Sequence, residues 1–259
     1  MKKYIILFLL LTVNLTWAKT KQQTYLLFNE TKGEIVVAEN IHEVRSIASI
    51  TKLMTAMVAL DYSDDLGKSL IISKRQHTNL PSKQHTRMEV LTAMLVRSDN
   101  AAAETIAEDY PGGREAFIQA MNAKAKSIGL LNTQFAEPTG LSVFNISTAE
   151  ELSKMVNEAS KYYLIRTLST TKEIAIDAHG KKKTYIARFN NTNRLALEEF
   201  HDIVVSKTGL TNMAGSCVAM AIEHAGQKYI MIVLGAKNGI DRLKTVKQIM
   251  YNHIINHAN

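Results

Sequence analysis

One cysteine, Cys217, is all that this 259-residue chain offers for sulfur chemistry, so no disulfide can form within it. Its setting, Ser216-Cys-Val-Ala-Met220, reads as a buried strand and gives the thiol a packing role. Prolines number three, Pro81, Pro111 and Pro138. No repeat, low-complexity tract or long linker divides the chain, which argues against an array or a string of modules. Beyond the first residues, no apolar run approaches the roughly 20 residues that a membrane helix needs. Basic residues are dispersed rather than banded, and Lys181-Lys182-Lys183 reads as a hairpin turn. Nothing therefore points to nucleic acid.

What is present is an ordinary globular composition, 46% hydrophobic and 21% charged. A sizeable core is expected and general disorder is not. The N-terminus reads as a signal peptide, residues 1–18. Lys2 and Lys3 precede the apolar run from Ile5 to Leu11, and Thr16-Trp17-Ala18 sets small residues for cleavage after Ala18. An uncleaved anchor is the competing reading. Losing the two lysines of that segment lowers the formal charge from +7 to +5. A basic exported protein would be drawn to an anionic polymer or surface, although a merely solvated basic surface fits equally.

Two β-type runs, Thr24 to Phe28 and Glu34 to Ala38, flank a turn and predict a hairpin. Helical spacing follows from about Ser49 to Leu60, then over Met88 to Val96, Ala101 to Ala107, Arg114 to Ile128 and Ala149 to Ser160. Ser147 and Glu150 read as a capping box at the start of the last of these. Strand patterns return over Lys172 to Ala178, Thr184 to Phe189, Ile203 to Ser206, Cys217 to Glu223 and Tyr229 to Leu234. A final helix, about Ile240 to Ile255, carries the stripe Ile240, Leu243, Val246, Ile249, Met250 and Ile254, read as docking on a sheet. The order predicts an α+β domain: one antiparallel sheet built from N- and C-terminal strands, flanked by helices, with a helical insertion at about residues 61–160. A cleft is expected where the two parts meet.

Ser49-Ile-Thr-Lys52 is a Ser-x-x-Lys string, which chance supplies about once in a chain of this length. A second copy, Ser169-Thr-Thr-Lys172, shows how weak the string is alone. Helical spacing brings Ser49 and Lys52 together, whereas Ser169 leads into a strand pattern that would point Lys172 away. Serine becomes a nucleophile when a neighbour takes its proton. Lysine takes it only when burial or nearby positive charge lowers its pKa. Lys207-Thr208-Gly209 follows a β-type run and reads either as a strand end capped by a turn or as a binding element, in which Lys207 would supply that second charge and, with Thr208, a cation and hydroxyl for a carboxylate. Gly209 is read as letting a substrate backbone approach a strand edge. Ser98-Asp99-Asn100 lies between helical segments. It reads either as a helix N-cap or as a proton relay through Ser98, with Asn100 binding a substrate amide or holding Lys52.

In this order the three strings resemble the motif set of penicillin-binding proteins and class A β-lactamases. The stretches Arg45 to Thr55 and Lys207 to Cys217 resemble the low-molecular-weight penicillin-binding proteins, the serine D-alanyl-D-alanine peptidases. Tyr110-Pro-Gly-Gly113, Met121 to Lys126, Glu137-Pro-Thr-Gly-Leu-Ser142 and Asn190-Asn-Thr-Asn193 resemble the D-alanyl-D-alanine endopeptidase branch more closely. The resemblance implies a β-lactamase/DD-peptidase-like fold over residues 19–259, an acyl-enzyme on Ser49, Lys52 as base, and an oxyanion hole from the N–H groups of Ser49 and Leu210, each donor worth roughly 3 kcal/mol or more. It implies peptidoglycan stem peptides as substrate, β-lactams as covalent inhibitors, other wall enzymes as partners, a periplasmic location, and no cofactor or metal. The loop Leu80 to Thr86 lacks the glycine that many relatives carry there. The residues after Gly209 suffice for the sheet and one helix, without the added β-rich domain and anchor of carboxypeptidase members, which favours cross-link cleavage.

Alternative readings are a D-alanyl-D-alanine carboxypeptidase, a class A β-lactamase and an inactive wall-binding β-lactam sensor. Glu137-Pro138 lies where a β-lactamase would carry its deacylating carboxylate, but lacks the Leu-Asn of such a loop. His253 and His257 have ligand spacing without the glutamate that a zincin requires.

Overall fold

The protein is described by a computed structural model covering residues 22–179, 184–197 and 202–255. The expected signal peptide at 1–18, the Lys181–Lys183 turn and His257 lie outside the described residues. The strands are β1 (Thr24–Asn29), β2 (Glu34–Glu39), β3 (Arg45–Ser46), β4 (Ser69–Ile71), β5 (Gln84–Thr86), β6 (Ile146–Ser147), β7 (Glu173–His179), β8 (Thr184–Asn190), β9 (Ile203–Thr211), β10 (Gly215–His224) and β11 (Gln227–Ala236). The helices are α1 (Thr51–Tyr62), α2 (Arg87–Thr92), α3 (Asn100–Glu108), α4 (Gly113–Ser127), α5 (Ala149–Ala159), α6 (Tyr163–Thr170), α7 (Arg194–Leu197) and α8 (Gly239–Met250).

Five strands form one antiparallel sheet in the order β2-β1-β11-β10-β9. Thr24 pairs with Leu234 and Asn29 with Tyr229, so the two ends of the chain meet in the middle of the sheet. Both faces are covered, which explains why these strands read as nearly continuous apolar runs. On β10, Cys217, Ala219 and Ala221 join the core beneath the helical layer. The alternate residues Val218, Met220 and Ile222 pack with Val246, Ile249 and Met250 of α8. The expected α+β class, and a sheet assembled from both ends of the chain, are what the structure has. β7 and β8 form a separate two-stranded ribbon rather than joining that sheet.

Helix α1 lies at the centre. Every residue from Thr51 to Ala59 is buried, the amine-bearing Lys52 included. A helix apolar on all sides is a core helix, and each fully buried Leu or Met on it contributes roughly 1.5–3 kcal/mol.

Several local expectations are corrected. Ser49 lies in a turn of 3-10 helix, Ala48–Ile50, just ahead of α1 rather than within it. The N-cap of α5 is Thr148, whose hydroxyl accepts from the Glu151 N–H at 3.1 Å, and not Ser147. Ser147 is held extended by pairing with Arg45, and Glu151 turns to the Asn132 amide and the Thr133 hydroxyl. Helix α6 occupies a stretch with no expected element. At the head of the α8 stripe, Ile240 is 70% exposed, while Val246, Ile249, Met250 and Ile254 are buried.

The second Ser-x-x-Lys string resolves into a packing contact. Ser169 is buried near the end of α6, and its hydroxyl accepts from the Ser206 N–H of β9 at 3.1 Å. Lys172 lies beyond the helix end. Ser169→Ala should cost about 1–3 kcal/mol in urea unfolding by stranding that buried N–H, with Ser49 still reactive toward a fluorescent penicillin.

Candidate active site

The turn that carries Ser49 is strained and tightly held. Ala48 sits at φ +48°, uncommon for a residue with a side chain. Thr51 locks it by donating from its hydroxyl to the Ala48 carbonyl at 2.8 Å. A 3-10 turn nearly eclipses positions i and i+3, which aligns Ser49 with Lys52. Lys52 Nζ donates to Ser49 Oγ at 3.0 Å, to Asn100 Oδ1 at 2.7 Å and to the Thr139 carbonyl at 2.6 Å.

Two glycines press this turn from opposite sides of the chain. A Cβ at Gly140 would fall 2.1 Å from the Ala48 carbonyl oxygen, and one at Gly209 would fall 3.0 Å from the Ser49 nitrogen. Gly209 thus permits a close approach of the chain's own backbone, a contact that the sequence reading did not anticipate. Gly140 also has φ +89°.

Lys52 is wholly buried, and its pKa is lowered from 10.5 to about 7. Burial is the main cause. The charges of Glu137, Asp99 and Glu104 pull the other way. A base poised near neutrality is what proton abstraction at ordinary pH requires. The hydrogen bonds also define where the proton leaves. The Thr139 carbonyl can only accept, and so can Asn100 Oδ1. Once Lys52 is neutral, its two remaining N–H bonds go to those oxygens and its lone pair faces the Ser49 hydroxyl.

The Ser98-Asp99-Asn100 string divides its work. Asp99 caps α3, accepting from the Ala102 N–H at 2.8 Å. Its other oxygen takes the Thr78 hydroxyl and the Asn79 N–H at 3.0 and 3.1 Å, anchoring the loop that leads into Leu80 to Thr86. Asn100 opens the helix and holds Lys52. Ser98 has φ +64° and is half-buried.

On the far side, Lys207, Thr208, Gly209 and Leu210 lie within β9 rather than at its end. β9 is the last strand of the sheet, so among the described residues one of its edges pairs with no strand. Lys207 is buried, donates to the Thr208 carbonyl at 2.9 Å, and titrates well below the ordinary lysine range. Burial is the main cause, followed by the positive charges of Lys52 and Arg242. Thr208 donates to Thr192 Oγ1 at 2.7 Å. Leu210 is 69% exposed.

The structure thus brings Ser49, Lys52 and Asn100 into direct contact, with Gly209 against the same turn. Sequence reading assigned no such role to five contributors. The Thr139 carbonyl and the Glu137 carboxylate that organises its loop belong to a segment noted for its family likeness and weighed as a β-lactamase carboxylate, not as a support for Lys52. Thr192 and Asn193 strap the two halves: the Thr192 N–H donates to the Val96 carbonyl at 3.2 Å, and Asn193 donates to Ser206 Oγ at 2.7 Å. Arg242 reaches from α8 to Ser216 Oγ at 3.1 Å and the Cys217 carbonyl at 3.3 Å, and no motif marks it. Cys217 is buried as expected, its thiol pushed up in pKa chiefly by burial.

A terminally closed antiparallel sheet backing a serine–lysine pair at the head of a buried helix defines the class of active-serine acyl-transfer proteins with the β-lactamase/DD-peptidase fold. The chain belongs to the D-alanyl-D-alanine carboxypeptidase family, whose profile matches residues 12–238. It is 41% identical over 212 residues to a D-alanyl-D-alanine endopeptidase of Escherichia coli, spanning 79% of this chain and 68% of that one. A D-alanyl-D-alanine endopeptidase of Pseudomonas aeruginosa is 37% identical over 219 residues, with 82% and 70% covered. Among solved structures, a Streptomyces DD-transpeptidase superposes with a TM-score of 0.80 at 26% identity, covering 88% of this chain and 94% of that one. A penicillin-binding protein of Listeria monocytogenes in its cefotaxime-bound form gives a TM-score of 0.75 at 26% identity, with 88% and 95% covered.

Gly140→Ala should lower stability by about 2–6 kcal/mol in urea unfolding, since positive-φ strain and overpacking each cost roughly 1–3 kcal/mol. It should also abolish reaction of Ser49 with a fluorescent penicillin, because the inserted methyl displaces the Ala48–Ser49 backbone.

Proposed function

We propose that this protein is an exported serine D-alanyl-D-alanine endopeptidase that hydrolyses peptidoglycan cross-links through an acyl-enzyme. Residues 1–18 are its signal peptide. Residues 19–259 are the catalytic domain, with a helical part at about 61–160, and it works in the periplasm. The observation that carries the reading is the Ser49–Lys52 contact, with Lys52 buried, titrating near 7 and aimed at one hydroxyl.

In this mechanism Lys52 takes the Ser49 proton as Ser49 Oγ attacks the carbonyl of the D-Ala in the cross-link. The developing oxyanion is held by the N–H groups of Ser49 and Leu210. The proton passes by way of Ser98 to the leaving amine, and Asn100 keeps Lys52 oriented. Water then takes the acyl group from Ser49. Lys207, Thr208 and Gly209 receive the substrate carboxylate, with Arg242 adding charge. Among the described residues no carboxylate pairs with Lys207 or Arg242. An arriving carboxylate supplies the counter-charge that favours the protonated form of Lys207, which suits a peptide ending in a free carboxylate.

Cross-link cleavage is supported by the names of the relatives at 41% and 37% identity. The family description supports a second reading, removal of terminal D-Ala from uncross-linked pentapeptides by the same residues. A β-lactam would acylate Ser49 and leave slowly, consistent with the cefotaxime-bound relative.

Purified protein should convert cross-linked muropeptide dimers to monomers. Release of D-Ala from pentapeptide without loss of dimers would favour the second reading. Ser49→Ala should abolish labelling by a fluorescent penicillin, and nitrocefin should turn over only slowly. The acylation rate should climb with pH through a midpoint of about 7 and level off above it, because the reacting form of Lys52 is the neutral amine. A rate flat through that range would exclude Lys52 as the base.

A further inference from the structure

The loop from Glu137 to Asn145 is organised around one carboxylate. Glu137 Oε2 accepts from the Thr139 N–H at 2.7 Å and the Thr139 hydroxyl at 2.5 Å. Oε1 accepts from the Gly140 N–H at 2.6 Å, the Ser142 N–H at 3.3 Å and Asn145 Nδ2 at 3.0 Å. The same Asn145 amide donates to Thr51 Oγ1 at 3.0 Å, and Thr55 donates to the Pro138 carbonyl at 2.7 Å, so the loop is stitched to α1 at both ends. Pro138 removes one competing N–H and fixes the backbone between carboxylate and loop. Thr139, whose N–H and hydroxyl are both held by Glu137, is the residue whose carbonyl accepts a hydrogen bond from Lys52. Gly140, held by the other oxygen, backs the Ala48–Ser49 peptide.

We propose that Glu137 is a positioning residue, which holds the Thr139 carbonyl on Lys52 and so directs the amine's remaining face to Ser49. The inference rests on the reading of Ser49 and Lys52 as nucleophile and base. It also gives Glu137 a role distinct from that of a deacylating carboxylate in a β-lactamase. Both of its oxygens are occupied by its own loop, and they orient a carbonyl rather than a water. A carboxylate rather than an amide is required, because every neighbour is a donor and an amide NH2 would meet some of them head-on.

Glu137 also acts through charge. Lys52 faces Glu137 from this loop, Asp99 and Glu104 from the head and body of α3, and Lys207 from β9, with Arg242 behind Lys207. Glu104 is engaged by Arg114 at 2.7 Å, and Asp99 is occupied in capping. Glu137 is the first of the carboxylates that raise the Lys52 pKa against burial. Removing its charge should therefore move the Lys52 midpoint to lower pH, the opposite of what simple loosening and hydration of the site would do.

The test compares wild type, Glu137→Gln and Glu137→Asp for the rate of Ser49 acylation by a fluorescent penicillin across a pH series, with melting temperature measured alongside. Glu137→Gln should acylate about 10-fold more slowly at neutral pH, a partial loss of the roughly 10²–10⁴-fold that a positioned general base contributes, with its midpoint shifted downward. Glu137→Asp, which keeps the charge but shortens the reach, should be slowed while keeping the wild-type midpoint. A Gln variant with wild-type rate and profile overturns the proposal. So does one that acylates normally and then accumulates as acyl-enzyme, since that marks a deacylating base. If the Gln variant fails to fold, the Asp variant decides, and an acylation rate equal to wild type overturns the proposal. Wild-type protein that takes no label at Ser49 refutes the nucleophile reading itself, whereas labelled wild type with indifferent variants refutes only the role of Glu137.

Discussion

The structure turns on one buried amine. Lys52 Nζ is shut off from solvent at the head of α1 with three oxygens around it. A charged ammonium in such a place is costly, by several kcal/mol even after relaxation. The protein meets that cost in part with hydrogen bonds and nearby carboxylates, and in part by letting the proton go near neutrality. Because two of the three oxygens cannot donate, deprotonation has a fixed geometric outcome. The rest of the site serves to keep those two oxygens in place.

That requirement explains features otherwise scattered along the chain. Asn100 is delivered by a helix whose start is pinned by its neighbour Asp99. The Thr139 carbonyl is delivered by a loop folded around Glu137. Glycines at 140 and 209 let two remote segments reach the same peptide unit, Ala48–Ser49, at distances no side chain would permit. The strap at Asn191 to Asn193 then joins the helical part to β9, with Asn191 donating to the Ser169 and Thr171 carbonyls and Asn193 to Ser206. Stability and alignment are thus the same set of contacts, and loosening either part of the molecule misplaces the amine.

Much of this was legible in the sequence. Side-chain spacing revealed the helices and central strands because burial imposes its period directly. The Ser49–Lys52 pair stood out from Ser169–Lys172 because one string heads a helical pattern and the other does not. What could not be read depended on backbone groups or on distant partners. The carbonyl of Thr139 has no signature in residue type, and Arg242 is one basic residue among many until α8 is folded against the sheet. The capping position slipped by one residue because Ser147 and Thr148 are both competent caps. Only pairing with Arg45 decides between them. The contact of Gly209 with the Ala48–Ser49 turn was hidden for a related reason: a glycine announces a close approach but does not name every group that approaches.

The strand order carries a consequence in time. β1 sits between β2 and β11, so a chain emerging N-terminus first offers only a lone hairpin until the last strands follow, and a two-stranded hairpin is marginal in water. Ser49 leaves early, but β9, which presses on its turn through Gly209, arrives some 160 residues later in a fold dominated by long-range pairing. The nucleophile is therefore present long before it is armed. Reactivity appears as a property of the finished fold, and a chain stalled or clipped before β11 carries the serine and the lysine without the enclosure that makes them a pair.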